Sequence, residues 1–373
     1  MLRAALPAIG ILGLTGVAGA EPLAVTMESG GEADSNVARV ETVDQGTVQR
    51  IAAPAIRAGA RIDSSDALAG GRYVLRLSGL ARMVASSRTK TENVMLFAGE
   101  GRWLRPISSR PIAAGLHLAA ADAFSITGGT GARTFRTLGA DALLVLGRED
   151  QHLTLELGAR DFWYKPAPAH VFDWRGPVAN ARLDLMLWQA PDRTRSLELA
   201  TTLGVEARSY TSDAVANCAA DMAAEPCSIP TALHRRDRYQ RAGIELDWTG
   251  HVVVTGGYQA TVINSNSFGQ SLIRQRIMAS LTMELPGKLL GTATATLQLD
   301  QYPDGVLLEK DVVHQEFTSL EDENRSSLQI LLARRMSPSW SIEVRGAAWR
   351  DFANTGAASF RRELIYAGVI YQR

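Results

Sequence analysis

Long apolar runs are the first thing this 373-residue chain lacks. Beyond its opening segment no stretch is both apolar and about 20 residues long, the length a helix needs to cross a bilayer, which excludes a helical membrane protein. Cysteine is scarce. Cys218 and Cys227 are the only two, too few for a disulfide-built scaffold, and no histidine stands at ligand spacing beside them to make a metal site. Neither charge dominates, with Lys+Arg at 39 and Asp+Glu at 39, so nothing marks nucleic acid as a partner. Catalytic signatures are missing too: there is no Gly-rich phosphate loop, metal-binding helix or serine nucleophile elbow. The histidines His117, His152, His170, His234, His251 and His314 show no pairing with a nucleophile and a carboxylate. The chain reads as a non-enzyme with no cofactor. Aromatic residues make up only 6% of it, and no inward track of them is visible.

What the sequence does have is a two-residue alternation. Leu289, Gly291, Ala293, Ala295, Leu297 and Leu299 are apolar, and Thr292, Thr294, Thr296, Gln298 and Asp300 lie between them. A strand sends successive side chains to opposite faces, so one face is apolar and the other polar. Repeated along the chain with no helical blocks between, this pattern predicts a closed antiparallel transmembrane β-barrel. A mean hydropathy of -0.04 fits, because the two faces of a barrel average out.

Sixteen strands are expected: 22–40, 50–62, 71–86, 92–106, 112–126, 132–149, 152–165, 179–191, 195–211, 234–249, 251–266, 270–285, 288–303, 324–337, 340–353 and 360–373. A hairpin hidden near the N-terminus, where Gly30-Gly31 and residues 52–60 blur the pattern, would raise the number to eighteen. Short connections at Arg148-Glu149-Asp150, 190–193, Thr249-Gly250, Pro286-Gly287 and 336–339 alternate with longer ones at 165–177, 211–233, 264–270, 303–323 and 353–359. Short periplasmic turns and longer extracellular loops follow this rule in outer-membrane barrels, with both termini on the periplasmic side.

The alternation also assigns faces. Sets such as Tyr73, Leu75 and Leu77, or Ala242, Ile244, Leu246 and Trp248, are expected to face lipid. Trp163, Trp248, Tyr258 and Trp340 fall near strand ends, where aromatic girdles belong. The lumen is expected to be lined by Arg72, Arg76, Arg82, Glu156, Arg160, Arg182, Asp184, Glu206, Arg208, Arg241, Glu245, Arg274, Arg276, Asp300, Glu343 and Arg345. Both signs are interspersed, which predicts modest ion selectivity or an interior braced by cross-strand pairs. The acidic run Glu321-Asp322-Glu323 is read as a solvated loop.

At the N-terminus Arg3, the apolar stretch from Ala4 to Val17 and the small residues Ala18-Gly19-Ala20 read as a cleaved secretory signal over 1–20, leaving 21–373 as one barrel domain. In an exported chain the close spacing of Cys218 and Cys227 predicts a local disulfide, contributing about 2–3 kcal/mol in the chain-entropy view.

Ala18-Gly19-Ala20, the serial alternation and the terminal strand Phe360–Arg373 together resemble a Gram-negative outer-membrane β-barrel of the porin-like kind. The last strand departs from the usual aromatic ending, since Gln372-Arg373 follow Tyr371, which bears on recognition by the barrel assembly machinery. More narrowly, Asp34-Ser35-Asn36, the two-cysteine segment and Asp322-Glu323-Asn324-Arg325-Ser326-Ser327 are similar to myxobacterial barrels, some of which serve in polysaccharide export beside a periplasmic export protein. The resemblance implies an outer-membrane location, outer-membrane lipid around the barrel, and a conduit for a secreted polysaccharide handed on by such a periplasmic partner. The alternatives are a general diffusion porin for small polar solutes and a closed surface or assembly barrel.

Overall fold

Residues 23–39, 42–43, 50–107, 109–127, 134–165, 172–218, 228–303, 325–350 and 358–373 are described by the structure, a computed structural model. The expected signal segment, Cys227 and the acidic run 321–323 lie outside them. The barrel strands are β1 (Leu23–Asp34), β2 (Ala53–Leu68), β3 (Gly71–Val84), β4 (Val94–Pro106), β5 (Ile112–Ser125), β6 (Phe135–Arg148), β7 (Gln151–Tyr164) and β8 (Trp174–Gln189). They continue as β9 (Ser196–Asn217), β10 (Ser228–Thr249), β11 (Val252–Ser265), β12 (Leu272–Leu285), β13 (Leu289–Gln301), β14 (Ser326–Arg335), β15 (Trp340–Arg350) and β16 (Arg361–Gln372). Each pairs antiparallel with its neighbours in sequence, and β1 pairs with β16 to close the ring. The sixteen-strand expectation holds strand for strand.

The connections divide the barrel into two ends. At one end short turns join the strands: Ala69-Gly70, Glu149-Asp150 and Gly250-His251 are the tightest. Ala69 and Gly70 both adopt positive φ (51° and 74°), the conformation whose twist suits a two-residue hairpin. The start of β1 and the end of β16 lie at this end, where Val25 and Arg373 exchange two backbone hydrogen bonds (2.7 and 2.9 Å). Longer connections join the strands at the other end. Two of them are tied together there, Thr42–Val43 pairing with Ala358–Ser359.

Three strand boundaries differ from expectation for a physical reason. The strands expected over 195–211 and 234–249 run on as β9 and β10 to Asn217 and back from Ser228, so much of the expected loop 211–233 is hairpin projecting past the rim. Alternation fails there because the hairpin has no apolar wall to face, and the register slips between Ser209, Asp213 and Val215. A neighbouring loop props it: Phe268 N–H donates to the Val215 carbonyl (2.8 Å), and Val215 N–H donates to Ser267 Oγ (3.0 Å). Likewise the strand expected to end at 62 continues to Leu68, because Asp63-Ser64-Ser65-Asp66 is a polar strand end and not a turn.

The side-chain faces follow from the register. Large apolar side chains left exposed, among them Ile56, Leu77, Leu116, Leu157, Leu203, Ile244, Ile277, Leu297, Ile330 and Ile365, all occupy one face of the sheet. Ion pairs between strands that are not neighbours, such as Arg102 on β4 with Glu156 on β7 (3.2 Å), occupy the other. Side chains converge only on the concave side, so the charged face is the interior and the apolar face is the outer wall.

The seam between β1 and β16 carries a buried charge cluster. Arg362 donates to Asp34 through Nε and through Nη2 (2.7 Å), and the two side chains are 1% and 0% exposed. Arg82, reaching across β2, donates to Asp34 (2.5 Å) and to Glu32. Beside it Ser35 Oγ accepts from the Glu363 N–H (2.7 Å), and Asn36 Nδ2 donates to the Arg361 carbonyl (3.2 Å). Removing one arginine leaves the two buried carboxylates Glu32 and Asp34 sharing a single cation. Arg362→Ala is therefore expected to cost about 3–5 kcal/mol of unfolding free energy, read as a lower urea midpoint of the refolded barrel. A wild-type midpoint would show that the seam does not need the cluster.

Candidate functional site: the charged interior

The register puts the following on the face opposite the exposed apolar side chains: Arg72, Arg76 and Arg82 from β3, Glu156 and Arg160 from β7, Arg182 and Asp184 from β8. Glu206 and Arg208 from β9, Arg241 and Glu245 from β10, Arg274 and Arg276 from β12, Asp300 from β13, and Glu343 and Arg345 from β15 share that face. Most are engaged with a partner. Arg208 and Arg241 both donate to Glu206 (2.6 and 2.9 Å), and Arg274 makes a two-pronged contact with Asp300 (2.9 Å each). Arg276 donates to Gln298 (2.7 Å), and Arg345 to Glu343 (2.7 Å). Arg182 joins Asp184 (2.8 Å) to Glu245 (3.4 Å).

Several interior residues escaped the sequence reading. His117 holds Asp141 with Nδ1 (2.8 Å) and faces Glu100 with Nε2 (3.3 Å), while Arg160 clasps the same Asp141 (2.6 and 2.8 Å). Asp63 accepts from Arg61 (2.6 Å) and Arg76 (3.0 Å). Around His117 the face is Ala113, Gly115, Ala119, Ala121 and Ala123, so small residues hid the polar half of the pattern. The signal was still there: His117 stands between Leu116 and Leu118, both of which point outward. His117 and His152 are each held by carboxylates, His152 lying 3.3 Å from Asp184, an arrangement for bracing charge and not for activating a nucleophile.

The two signs are less mixed than the sequence implies. On β8–β10 near the short-turn end, Glu198 stands directly opposite Asp247, and Asp184 and Glu245 both stand opposite Ala200. Like charges facing one another across a strand pair repel, so this patch is an acidic wall countered locally by Arg182 and His152. On β2–β4 at the same end Arg61, Arg72, Arg76 and Arg102 make a basic wall that encloses Asp63 and Glu100.

Exposure changes along the axis. Near the short-turn end the interior is wet, with side chains of Asp63, Arg76 and Glu100 at 31%, 38% and 52% exposure. Toward the long connections Arg82, Glu206, Arg208, Arg235 and Asp237 are all buried. That half also holds inward aromatic residues that were not visible in the sequence. Phe135, Phe162 and Trp174 stack in sequence (centroids 5.9 and 6.0 Å apart), and the Arg208 guanidinium lies between Trp174 and Tyr239, 4.0 Å from each ring centre. Arg235 covers Tyr210 at 4.1 Å and Arg362 covers Trp349 at 4.7 Å, the arrangement in which a cation is held by a ring face. A low aromatic total hid them because it carries no information on placement. The expected Cys218–Cys227 bond has its first member buried at the end of β9, and its second lies outside the described residues. Among the described residues no three His, Cys, Asp or Glu side chains cluster to hold a metal ion.

No protein-family model matches the chain, and no curated protein matches it. Among solved structures it is similar to a TodX monoaromatic hydrocarbon channel mutant, at 9% identity and TM-score 0.41, over 94% of this chain and 89% of that one. It is also similar to a bacterial polysaccharide outer membrane secretin, at 8% identity and TM-score 0.42, over 94% and 98%. The third is Acinetobacter baumannii OccAB3, at 9% identity and TM-score 0.43, over 94% and 99%.

The axial division predicts a chemical difference. With Cys218 and Cys227 replaced by serine, Glu100→Cys is expected to react rapidly with a charged thiol reagent in the folded barrel. Ala123→Cys, on the buried part of the same interior, is expected to react only on unfolding. Equal rates at the two positions would contradict a wet half and a closed half.

Proposed function

We propose that this chain is an outer-membrane channel whose interior carries polar cargo between the periplasm and the outside. The observation behind the reading is the division of one closed sheet into an apolar outer wall and a charged interior. A barrel satisfies its backbone hydrogen bonds internally, which is what a bilayer demands of any sheet that crosses it. At the short-turn end the outer wall finishes in aromatic residues, with Trp188 stacked on Trp248 (5.8 Å) and Trp340 tilted against Tyr371 (5.1 Å), as expected at a membrane–water boundary. Signal-dependent export and insertion by the barrel assembly machinery belong to the same proposal.

For cargo the reading we favour is a secreted polysaccharide, delivered by a periplasmic export protein at the short-turn rim. Its support is the buried aromatic–arginine layer toward the long connections, which is where a conduit that opens only when a partner feeds it would hold a seal at rest. Passive diffusion of small polar solutes has support of its own in the facing acidic and basic walls, which would orient a dipolar solute.

Single-channel recording of the refolded barrel in a planar bilayer separates them. The export reading expects few or no open steps without a partner, and a deletion strain that secretes less polysaccharide. Frequent stable openings, with unchanged polysaccharide in the deletion strain, would leave the diffusion porin. In a channel that does open, replacing Asp184, Glu198, Glu245 and Asp247 by their amides is expected to shift selectivity toward anions. Membrane insertion has a separate check: Leu297→Arg on the outer wall is expected to cost about 2–4 kcal/mol of stability in lipid if the residue lies near the midplane. Stability unchanged in lipid would sink the membrane reading.

A further inference from the structure

The outer wall carries one basic feature that its own fold does not use. Arg236 and Arg238 stand two residues apart on the outward face of β10, exposed, and their guanidinium groups meet no carboxylate among the described residues. Two other outward arginines are occupied: Arg136 is held by Asp122 (2.6 Å) and Arg361 by Glu363. Register fixes their height. Arg238 lies opposite Ala207 and Arg236 opposite Ser209, above the outward run Leu197, Leu199, Leu203 and Val205. From Leu197 to Ala207 a tilted strand climbs roughly 25 Å, the height of the apolar band of a membrane barrel. The two arginines therefore sit where lipid tails end and headgroups begin. A recess of about 440 Å³ opens at this spot, lined by Ser209, Arg236, Arg238, Asn264 and Asn266 among others. Arg175 is in the same row across Ser209, with Asp161 opposite it on β7, and the Asp213–His234 pair (3.2 Å) stands above.

We propose that this recess binds the phosphate-bearing headgroup of a lipid in the outer leaflet, with Arg236 and Arg238 as its cationic contacts. The proposal rests on the membrane reading above. Arginine suits the task because its planar fork gives paired charge-assisted hydrogen bonds to phosphate oxygens. Anchored tails favour a lipid over free phosphate, since the apolar wall below the recess holds them. Ser209 and Asn264 add neutral polar groups beside the charges.

The test is native mass spectrometry of the full refolded barrel with lipid A carrying its two phosphates, the dephosphorylated form of the same lipid, and inorganic phosphate as competitor. The wild-type barrel is expected to retain diphosphorylated lipid A and to release the dephosphorylated form. Arg236→Gln with Arg238→Gln is expected to weaken retention about tenfold or more, as loss of charge-assisted bonds implies. Arg334→Gln, an outward change at the opposite end, is expected to leave it unchanged. Equal retention by wild type and the double variant, or equal loss with Arg334→Gln, would overturn the proposal. Full displacement by millimolar phosphate would overturn it as well, leaving a simple anion site. Co-flotation of each variant with vesicles separates the two readings. A barrel that floats but ignores lipid phosphate defeats this inference alone, and one that never floats defeats the membrane reading beneath it.

Discussion

A sheet has edges, and a ring does not. Sixteen antiparallel strands laid flat would expose the N–H and C=O groups of β1 and β16, and joining those two removes both edges at once. The rest of the architecture depends on this closure. It requires an even number of strands if both chain ends are to meet at one rim, and it fixes one concave and one convex face. Because side chains crowd together only on the concave face, the charges sent there by alternation are brought within reach of partners.

Those partners explain the interior better than sign counting does. Where the cavity is wet, like charges such as Glu198 and Asp247 stand opposite one another, and the repulsion is screened by water. Where it is dry, acids and arginines are matched, and some of the arginines are also covered by rings: Arg208 has Glu206 on one side and Trp174 and Tyr239 on its faces. A buried cation without a matched acid would be costly. The two halves thus follow different electrostatic rules within one continuous set of strands.

Much of this was legible in the sequence, and the failures share a cause. Strands such as β13, with Thr and Gln set between Leu and Ala, declare both their existence and their faces. Alternation reads only where the two environments differ. Along β5 small residues fill most of the inward face, so His117 was not assigned to the lumen although its neighbours placed it correctly. Beyond the rim, water bathes both sides of the β9–β10 hairpin, and the pattern that defines a strand vanishes while the strand continues. Pairings across the cavity were beyond reach, because they depend on which strands the curvature brings face to face. Arg102 meets Glu156 from three strands away. The aromatic lining was equally hidden, since spacing along the chain does not tell that Trp174 and Tyr239 flank one guanidinium.

The seam has a consequence in time. Every other strand pair of the barrel joins neighbours in sequence, whereas Asp34 and Arg362 are separated by 328 positions. Local hairpins form early because little chain must be drawn together, and the most distant contact comes last. Until then the growing sheet has two naked edges, each able to accept a foreign strand. The Asp34–Arg362 contact is therefore the latch of the assembly, formed when the final strand arrives, and the interval before it shuts is when this chain is most vulnerable to pairing with the wrong partner.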